Sequence, residues 1–282
     1  MKKGLIMEGG AMRGMFTCGV IDVFLENEIE FDGGVGVSAG AAFGCNFKSK
    51  QIGRPIRYNK RFCGDPRYGS IRSLIRTGDV FDEDLCYHQI PETLDPFDDK
   101  TYTENPMEFY AVCTDVTTGK PVYHRCDTGV GEDILWFRAS ASMPMVSRVV
   151  EIDGLKLLDG GIADSIPVKF MESKGYDRNV VILTQPLDYI KKPQKGLSAI
   201  RALLKEYPAV VKAMQVRHIM YNRQTEYIRS KERQKELFVI RPPRDLDISR
   251  MESDPEELER VYQMGRTEGL KVLPELKKYM EI

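Results

Sequence analysis

A strand-like run gives way to a helix-like run at Ser38, in the stretch Asp32-Gly33-Gly34-Val35-Gly36-Val37-Ser38-Ala39-Gly40-Ala41-Ala42. The serine has a glycine two positions before it and another two positions after it, in the pattern G-x-S-x-G. In that pattern a serine occupies a tight, strained turn between a strand and a helix and exposes its hydroxyl group. Small neighbours are required, because a bulky side chain two positions away would strike the opposing backbone. The pattern predicts Ser38 as a catalytic nucleophile, on an elbow made of Gly36, Val37, Ala39 and Gly40.

A glycine-rich loop near the N-terminus lies between a short apolar strand, Leu5-Ile6-Met7, and a predicted helix. The helix is indicated by apolar residues at i, i+4, i+7 and i+8 from Phe16, which share one face. Backbone N–H groups between a strand and a helix can point at an anion. A serine nucleophile needs such donors for the oxyanion that forms on the attacked carbonyl. We therefore expect the oxyanion hole to be formed by Gly9, Gly10, Ala11, Met12, Arg13 and Gly14.

The same loop could instead bind a nucleotide phosphate. The dinucleotide pattern G-x-G-x-x-G would need a glycine at Ala11, and a P-loop would need Gly-Lys followed by serine or threonine. Neither requirement is met, so the loop favours an oxyanion role, and no cofactor is expected.

The base that activates the serine is the harder assignment. The chain has three histidines, His88, His124 and His218, and none of them stands in an obvious loop at a predicted strand end. Asp159 does, because it follows the apolar run 155–158 and precedes two glycines. An aspartate before glycine is also common in plain turns. From the residues alone, Asp159 is the preferred base, and a histidine, first among them His218, stays the alternative.

Four motifs occur in the order seen in patatin-like phospholipases, and the chain resembles that family over residues 4–168. The motifs are Gly9–Gly14, Gly36–Gly40, Ala139–Pro144 and Asp159–Gly161. The resemblance implies a three-layer α/β/α sandwich with a mostly parallel central sheet, and a dyad of Ser38 and Asp159 that works without a histidine. It also implies a serine lipid acyl hydrolase that cleaves acyl esters of phospholipids, lysophospholipids or related lipids through an acyl-enzyme.

Two other functions stay open: an α/β-hydrolase-type esterase with a histidine base, and an inactive relative that binds lipid in the same pocket. A free aspartate, with a pKa of about 3.9, is a weak base for an alcohol. It could serve if a partly apolar site raised its pKa and a hydrogen bond held it against the serine. A large loss of activity in His218→Ala would favour the first alternative, and a Ser38 that does not react with a fluorophosphonate would favour the second.

One domain of residues 1–282 is predicted, because neither a low-complexity linker nor a repeat divides the chain. We expect a catalytic core over about residues 4–186 and a helical C-terminal part over about residues 187–282. Within that part, a long basic amphipathic segment predicts helices with a break near Pro208, and Leu237–Ile240 predicts a last strand. The final 100 or so residues carry no motif of the family.

Bulk charge argues against a nucleic-acid partner, since 41 basic residues face 42 acidic ones and the formal net charge is −1. No apolar run approaches the roughly 18 residues of a membrane span, and the N-terminal apolar run is too short for a signal peptide. Six cysteines without a C-x-x-C pair are then expected to be reduced thiols in a cytoplasmic protein. The expected partner is a lipid or another acyl ester, and no metal site is expected.

Two adjacent segments carry opposite charge. Between Lys48 and Arg76 there are nine basic residues and one acid, while Asp79–Asp99 holds eight acids and no basic residue. Clustered basic residues can attract an anionic membrane, which would allow peripheral membrane contact. Because the segments are neighbours of opposite sign, mutual ion pairing is the preferred interpretation.

Overall fold

An eight-stranded sheet runs through the molecule, and the computed structural model describes residues 1–281. The strands are β1 Lys2–Met7, β2 Gly33–Val37, β3 Glu108–Asp115, β4 Pro121–Arg125, β5 Val150–Ile152, β6 Leu155–Asp159, β7 Tyr176–Ile182 and β8 Leu237–Ile240. Hydrogen bonds connect them in the order β5-β6-β3-β2-β1-β7-β8, and β4 pairs with β3. Strands β4 and β6 run opposite to the other six. The sheet is therefore mostly parallel, as predicted.

Helices connect and cover the strands. They are α1 Gly14–Glu26, α2 Ala39–Ala42, α3 Cys45–Lys48, α4 Arg54–Phe62, α5 Ile71–Thr77, α6 Asp99–Glu104, α7 Glu132–Ser140, α8 Val168–Ser173, α9 Leu197–Leu203, α10 Pro208–Arg233 and α11 Pro255–Met280. A π-helix spans Leu85–Leu94, and 3-10 turns span Ala11–Arg13 and Gly160–Ile162. Within residues 1–281, none of these helices combines the length and the apolar character that crossing a membrane requires.

Two hydrophobic cores lie on opposite faces of the sheet, because side chains alternate along each strand. In β1, Leu5 and Met7 join the first core and Ile6 joins the second. The first core packs against α1, α2, α4, α7 and α11, and the second packs against α8 and α10. Helices on both faces of a mostly parallel sheet confirm the predicted three-layer α/β/α architecture.

The C-terminal part adds to the sheet and to both of its faces. Helix α9 ends at Leu203 and α10 begins at Pro208, which confirms the predicted break. Strand β8 confirms the predicted last strand and pairs in parallel with β7. Helix α11 approaches α1 closely at Gly19 and Gly265, where a side chain would overlap the backbone of the facing helix.

The two oppositely charged segments pair with each other. Arg54 and Arg57 both form ion pairs with Asp95, and Arg76 forms one with Asp82. Arg54 and Asp95 are buried, so their pair lies inside the fold. Three basic residues of the first segment thus pair with the acidic segment, which supports the ion-pairing interpretation.

Candidate active site

Ser38 stands at the bend between β2 and α2, as predicted. Its backbone has φ 56° and ψ −122°, a region that residues other than glycine rarely adopt. The bend leaves no room for side chains beside it. A Cβ at Gly36 would overlap the carbonyl of Gly40, and one at Gly40 would overlap the carbonyl of Met7. The strained turn therefore depends on these two glycines.

The register of β3 brings the carboxyl ends of β2 and β6 together. Val37 of β2 pairs with Val112, and Asp159 of β6 pairs with the next residue, Cys113. Strand β4 pairs with residues of β3 that both of these strands also use. It must therefore occupy the other edge of β3, so that β2 and β6 lie end to end on one edge. Because β2 and β6 run in opposite directions, Ser38 and Asp159 meet where the two strands end.

The Asp159 carboxylate is buried beside the serine, and only 2% of the residue surface is exposed. Its Oδ1 accepts a hydrogen bond from the Gly161 N–H at 2.7 Å. Burial raises the pKa of Asp159, while the charge of Arg217 and a hydrogen bond from the Ser38 hydroxyl partly offset this rise. The pKa remains above that of an ordinary aspartate, which makes the carboxylate a stronger base.

The predicted oxyanion loop packs directly on the elbow. A Cβ at Gly9 would come within 2.7 Å of the Val37 carbonyl oxygen and 2.8 Å of Ser38 Cβ, so the close approach requires glycine. Ala11 has a positive φ of 51°, which is a strained conformation for a residue with a Cβ. The loop is therefore held against Ser38 with little freedom.

Two N–H groups of this loop have partners within the loop itself. The Arg13 N–H donates to the Gly10 carbonyl at 3.2 Å, and the Gly14 N–H donates to the carbonyls of Ala11 and Met12. The Arg13 side chain lies against Gly10, where a Cβ would be 3.2 Å from its Nη2. This narrows the expected backbone donors from the six loop residues to Gly9, Gly10, Ala11 and Met12.

The motif Ala139–Pro144 supports the elbow from behind. Ser140 Oγ accepts a hydrogen bond from the Ser38 N–H at 2.9 Å and donates one to the Val112 carbonyl at 2.6 Å. Ser140 is fully buried, so these bonds are shielded from water. The motif was visible in the sequence, but the contact that gives it a role joins residues far apart in the chain.

A group of polar side chains near the dyad comes from residues that sequence reasoning did not single out. Arg217 Nε donates to the Gly161 carbonyl at 2.5 Å. Lys191 Nζ lies 4.3 Å from the centre of the Tyr221 ring, and Tyr221 Oη donates to Glu8 at 2.7 Å. Except for Glu8, these residues belong to the C-terminal part, where no motif marks a functional position.

The structure shows what each of the three histidines contacts. His88 contacts Glu92 at 3.1 Å on the surface, and His124 contacts Asp133 at 3.2 Å. His218 follows Arg217 on α10, and its buried Nδ1 has no hydrogen-bond partner within residues 1–281. Within the same residues, no hydrogen bond joins a histidine to the serine or aspartate of the dyad. The geometry therefore favours the aspartate over a histidine as the base.

One cluster of metal-type ligands occurs within residues 1–281, at His124, Cys126 and Asp133. His124 and Asp133 already contact each other, and Cys126 and Asp133 contact backbone groups. Asp133 Oδ2 accepts hydrogen bonds from the N–H groups of Thr128 and Gly129 at 2.8 and 2.9 Å. Burial holds the pKa of the Cys126 thiol well above its usual range, whereas a metal ligand must be a thiolate. The cluster therefore fits a structural role, and the absence of a metal site stays a prediction.

An apolar cavity of about 160 Å³ opens beside Ser38. Its lining residues lie between Ala11 and Ser147 and are mostly aliphatic or aromatic, with Arg54, Asp79 and Arg138 as the charged exceptions. Apolar walls are contributed by Met12, Ala42, Phe43, Tyr58, Phe81, Ile90, Ile134 and Phe137. An apolar cavity of this kind suits a hydrocarbon chain.

Comparison with known proteins gives two family matches and several relatives. The model of the patatin-like phospholipases matches residues 5–171, and a domain of unknown function, DUF6363, matches residues 207–281. The uncharacterized protein YjjU of Escherichia coli (strain K12) is 29% identical in an alignment of 283 positions that covers 94% of this chain and 75% of YjjU. Lysophospholipase nte1 of Aspergillus terreus is 29% identical over 186 residues, 62% of this chain and 11% of that protein.

A further relative is a putative patatin-like phospholipase domain-containing protein, M110.7, of Caenorhabditis elegans. It is 27% identical over 193 residues, which cover 64% of this chain and 16% of that protein. This chain thus spans most of YjjU but only a small part of the other two relatives. The patatin-like match covers more than half of the chain and includes the glycine-rich loop, Ser38 and Asp159. The predicted resemblance is confirmed: the chain belongs to the patatin-like phospholipase family of hydrolases.

Proposed function

We propose that this protein hydrolyses lipid acyl esters with Ser38 as the nucleophile and Asp159 as the base. The observation that carries the proposal is the end-to-end meeting of β2 and β6, which sets a hydroxyl on a strained elbow against a buried carboxylate of raised pKa. Family membership and the lysophospholipase relatives support a lipid ester as the substrate class. Phospholipids, lysophospholipids or related lipids are the proposed substrates.

The proposed reaction passes through an acyl-enzyme. Ser38 Oγ attacks the ester carbonyl carbon and gives its proton to Asp159, and the carbonyl oxygen becomes an oxyanion. The N–H groups of residues 9–12, together with that of Ala39 after the nucleophile, are the donors for this charge. The bond to the alcohol then breaks, and Asp159 returns the proton to the leaving oxygen. Water repeats the attack on the acyl-enzyme, with the same proton transfers, and releases the fatty acid.

The apolar cavity beside Ser38 would hold the acyl chain. Burial of a methylene group contributes about 0.8 kcal/mol, so a few methylenes in this cavity would bind a long chain more tightly than a short one. The walls come from the same helices that enclose the first core, and they include aromatic residues such as Tyr58 and Phe137. The cavity therefore supports a preference for lipid-like acyl groups.

A peripheral contact with a lipid surface belongs to the proposal. Ile71 and Ile75 on α5 are 64% and 83% exposed, and Met145 is 49% exposed. The segments that carry them are tied together, because the Val80 N–H donates to the Val146 carbonyl at 2.8 Å. Exposed apolar side chains grouped near the cavity suit insertion into a lipid interface.

A cytoplasmic location is also proposed. All six cysteines are free thiols in the structure, and free thiols are typical of a reducing compartment. Fractionation of the native protein would test this location directly.

The dyad is tested with Ser38→Ala and Asp159→Asn, assayed on acyl esters of graded chain length. We expect each to lose about 10³-fold or more in kcat, and Ser38→Ala to lose labelling by a fluorophosphonate. Asp164→Asn is the matched control, because Asp164 is also buried with a raised pKa but is hydrogen-bonded to Tyr123 and Gln224.

Three outcomes would count against the dyad. Full activity of the folded Ser38→Ala and Asp159→Asn proteins would exclude it. A loss in His218→Ala as large as that in Ser38→Ala would instead support the histidine-based esterase. A folded wild-type protein that resists the fluorophosphonate would support the inactive lipid-binding relative.

A further inference from the structure

Two cations of the C-terminal part, Lys191 and Arg217, lie on one side of the dyad, and the positive charge of Arg250 acts on both of them. Arg217 is anchored by its Nε–H, which donates to the Gly161 carbonyl at 2.5 Å. A Cβ at Gly161 would lie 3.0 Å from both Arg217 Nη2 and Asp159 Oδ1. The free end of the guanidinium therefore stands close to the catalytic carboxylate.

Lys191 is fixed beside this arginine through its backbone. Its N–H donates to Asn222 Oδ1 at 2.9 Å, and Asn222 Nδ2 donates back to the Lys191 carbonyl at 3.0 Å. Asn222 and Arg217 both belong to α10, so the loop and the helix are tied together. Lys191 Nζ lies over the Tyr221 ring, 4.3 Å from its centre. Burial lowers the pKa of Lys191, and the positive charge of Arg250, which belongs to a third segment, lowers it further.

Positive charge exceeds negative charge around this cluster. None of the ion pairs formed within residues 1–281 includes Lys191, Arg217 or Arg250. The carboxylates whose charges reach the cluster include Glu8 and Asp159, and Asp159 already belongs to the dyad. Cations that share a partly buried site repel each other, and a bound anion would offset that repulsion.

Glu8 is engaged by neutral groups. Its Oε1 accepts a hydrogen bond from Tyr221 Oη at 2.7 Å, and its Oε2 accepts one from the Thr184 N–H at 2.7 Å. Glu8 is buried, so both bonds are protected from water and hold the carboxylate in place. Because Glu8 bonds to these neutral groups, it does not occupy the side-chain N–H groups of Lys191 and Arg217, and a ligand can use those donors.

We propose that Lys191 and Arg217 bind the phosphodiester of a glycerophospholipid head group, with Arg250 adding positive charge to the site. The proposal rests on the proposed function, because the acyl ester must reach Ser38 while the head group is held. The cations come from segments that include α10, on the second core, whereas the cavity is enclosed by helices of the first core. A lipid would therefore lie across Ser38, with its chain on one side and its phosphate on the other.

The chemistry of the cluster suits this ligand. Guanidinium and ammonium groups form charge-assisted hydrogen bonds with phosphate oxygens, and arginine can do so with two parallel bonds. A glycerophospholipid carries its phosphodiester on the same glycerol as its acyl esters. The substrate is then a phospholipid or a lysophospholipid, not a neutral glyceride.

The first test compares two substrates that share one acyl chain: lysophosphatidylglycerol, which has the phosphodiester, and monoacylglycerol, which lacks it. The readout is the ratio of their kcat/KM values. We expect Lys191→Met to lower this ratio about tenfold and Arg250→Gln to lower it about threefold. Lys192→Met, at the exposed neighbouring lysine, is the matched control and should keep the wild-type ratio. An unchanged ratio in Lys191→Met overturns the proposal.

The second test measures binding without turnover, by calorimetry on Ser38→Ala. We expect glycerophosphoglycerol, the deacylated head group, to bind about tenfold more weakly when Lys191→Met is added. Binding of inorganic phosphate without binding of the diester overturns the head-group assignment. If the diester binds through Lys191 but the wild-type protein hydrolyses neither substrate, the proposed function is wrong and the anion subsite stands.

Discussion

The two flanks of Ser38 differ in chemistry and in their place in the chain. The apolar flank is the cavity, whose lining residues all lie between Ala11 and Ser147. The basic flank consists of Lys191, Arg217 and Arg250 and comes entirely from the C-terminal part. The patatin-like match ends at residue 171, so only the apolar flank lies inside it.

This difference separates two tasks. The region matched by the family holds the proposed nucleophile, the proposed base and the apolar cavity, whereas the positive charge near the site comes from the segment that follows. Apolar burial has no direction and scales with the area removed from water, while charge-assisted hydrogen bonds depend on geometry. Mutations in the two flanks should therefore change different properties: chain-length preference on one side, and response to charge and pH on the other.

Filling the apolar flank should have the largest effect. Ala42 lines the cavity, and Ala42→Phe would occupy space that several methylene groups of the acyl chain would use. At about 0.8 kcal/mol for each methylene, we expect kcat/KM for long-chain esters to fall about 10²-fold, with short-chain esters nearly unaffected. Steady-state kinetics on a chain-length series measures this.

The control for the cavity is Ala42→Ser, which keeps the side chain small and should retain long-chain activity. Circular dichroism would establish that both variants are folded. Full long-chain activity in a folded Ala42→Phe protein would show that the acyl chain binds elsewhere. The apolar flank would then not determine the chain-length preference.

Removing Arg217 should have a smaller effect, of a different kind. The charge of Arg217 lowers the pKa of Asp159 against the larger effect of burial. In Arg217→Met that pKa should rise further, so the base is protonated over a wider acidic range and the acid limb of the kcat profile moves to higher pH. We expect the loss of kcat relative to wild type to grow as the pH falls, measured from the full pH profile.

Two variants decide whether Arg217 acts through its charge. Arg217→Lys keeps a cation and should restore part of the wild-type profile, although it cannot reproduce the guanidinium bond to Gly161. Arg223→Met, at an exposed arginine of the same helix, should leave the profile unchanged. An acid limb at the wild-type position in Arg217→Met would mean that the arginine does not position or tune the base.

The positions of Ser38 and Asp159 at their strand ends could be predicted from the sequence because their signals are local, whereas no sequence pattern predicted the apolar cavity. The small residues on both sides of Ser38 indicate the turn, and Asp159 lies between an apolar run and two glycines. The strands follow from short apolar runs, and the break before α10 follows from Pro208. Pairing the serine with the aspartate needed the order of motifs, since their meeting depends on the register of β3.

The rest depends on contacts between distant residues, which no local pattern encodes. Ser140 bonds to the Ser38 N–H across 102 positions, and Arg217 bonds to Gly161 across 56. The expected oxyanion donors narrowed from six to four because the turn at Ala11–Arg13 uses two N–H groups internally. Arg217 was hidden for a further reason: basic residues are common on amphipathic helices, and only the packing of α10 shows which of them face the site.

The smallest effect should come from the titration of Lys191, and it applies only to the basic flank. Burial and the neighbouring arginines lower the pKa of Lys191 to about 7. The lysine is therefore charged below that pH and loses its charge as the pH rises through it. The groups that face it are Glu8, Arg13, Arg217, Tyr221, Tyr189 and Arg250.

Given the proposed head-group subsite, the preference for lysophosphatidylglycerol over monoacylglycerol should fall about threefold between about pH 6 and pH 8. Because kcat/KM reports the free enzyme, the midpoint should follow the pKa of unliganded Lys191. The effect of Asp159 cancels, since both substrates use the same base. Lys191→Arg keeps its charge over this range and should make the ratio independent of pH. A ratio that still falls in Lys191→Arg would assign the titration to another group and leave the basic flank with no pH response of its own.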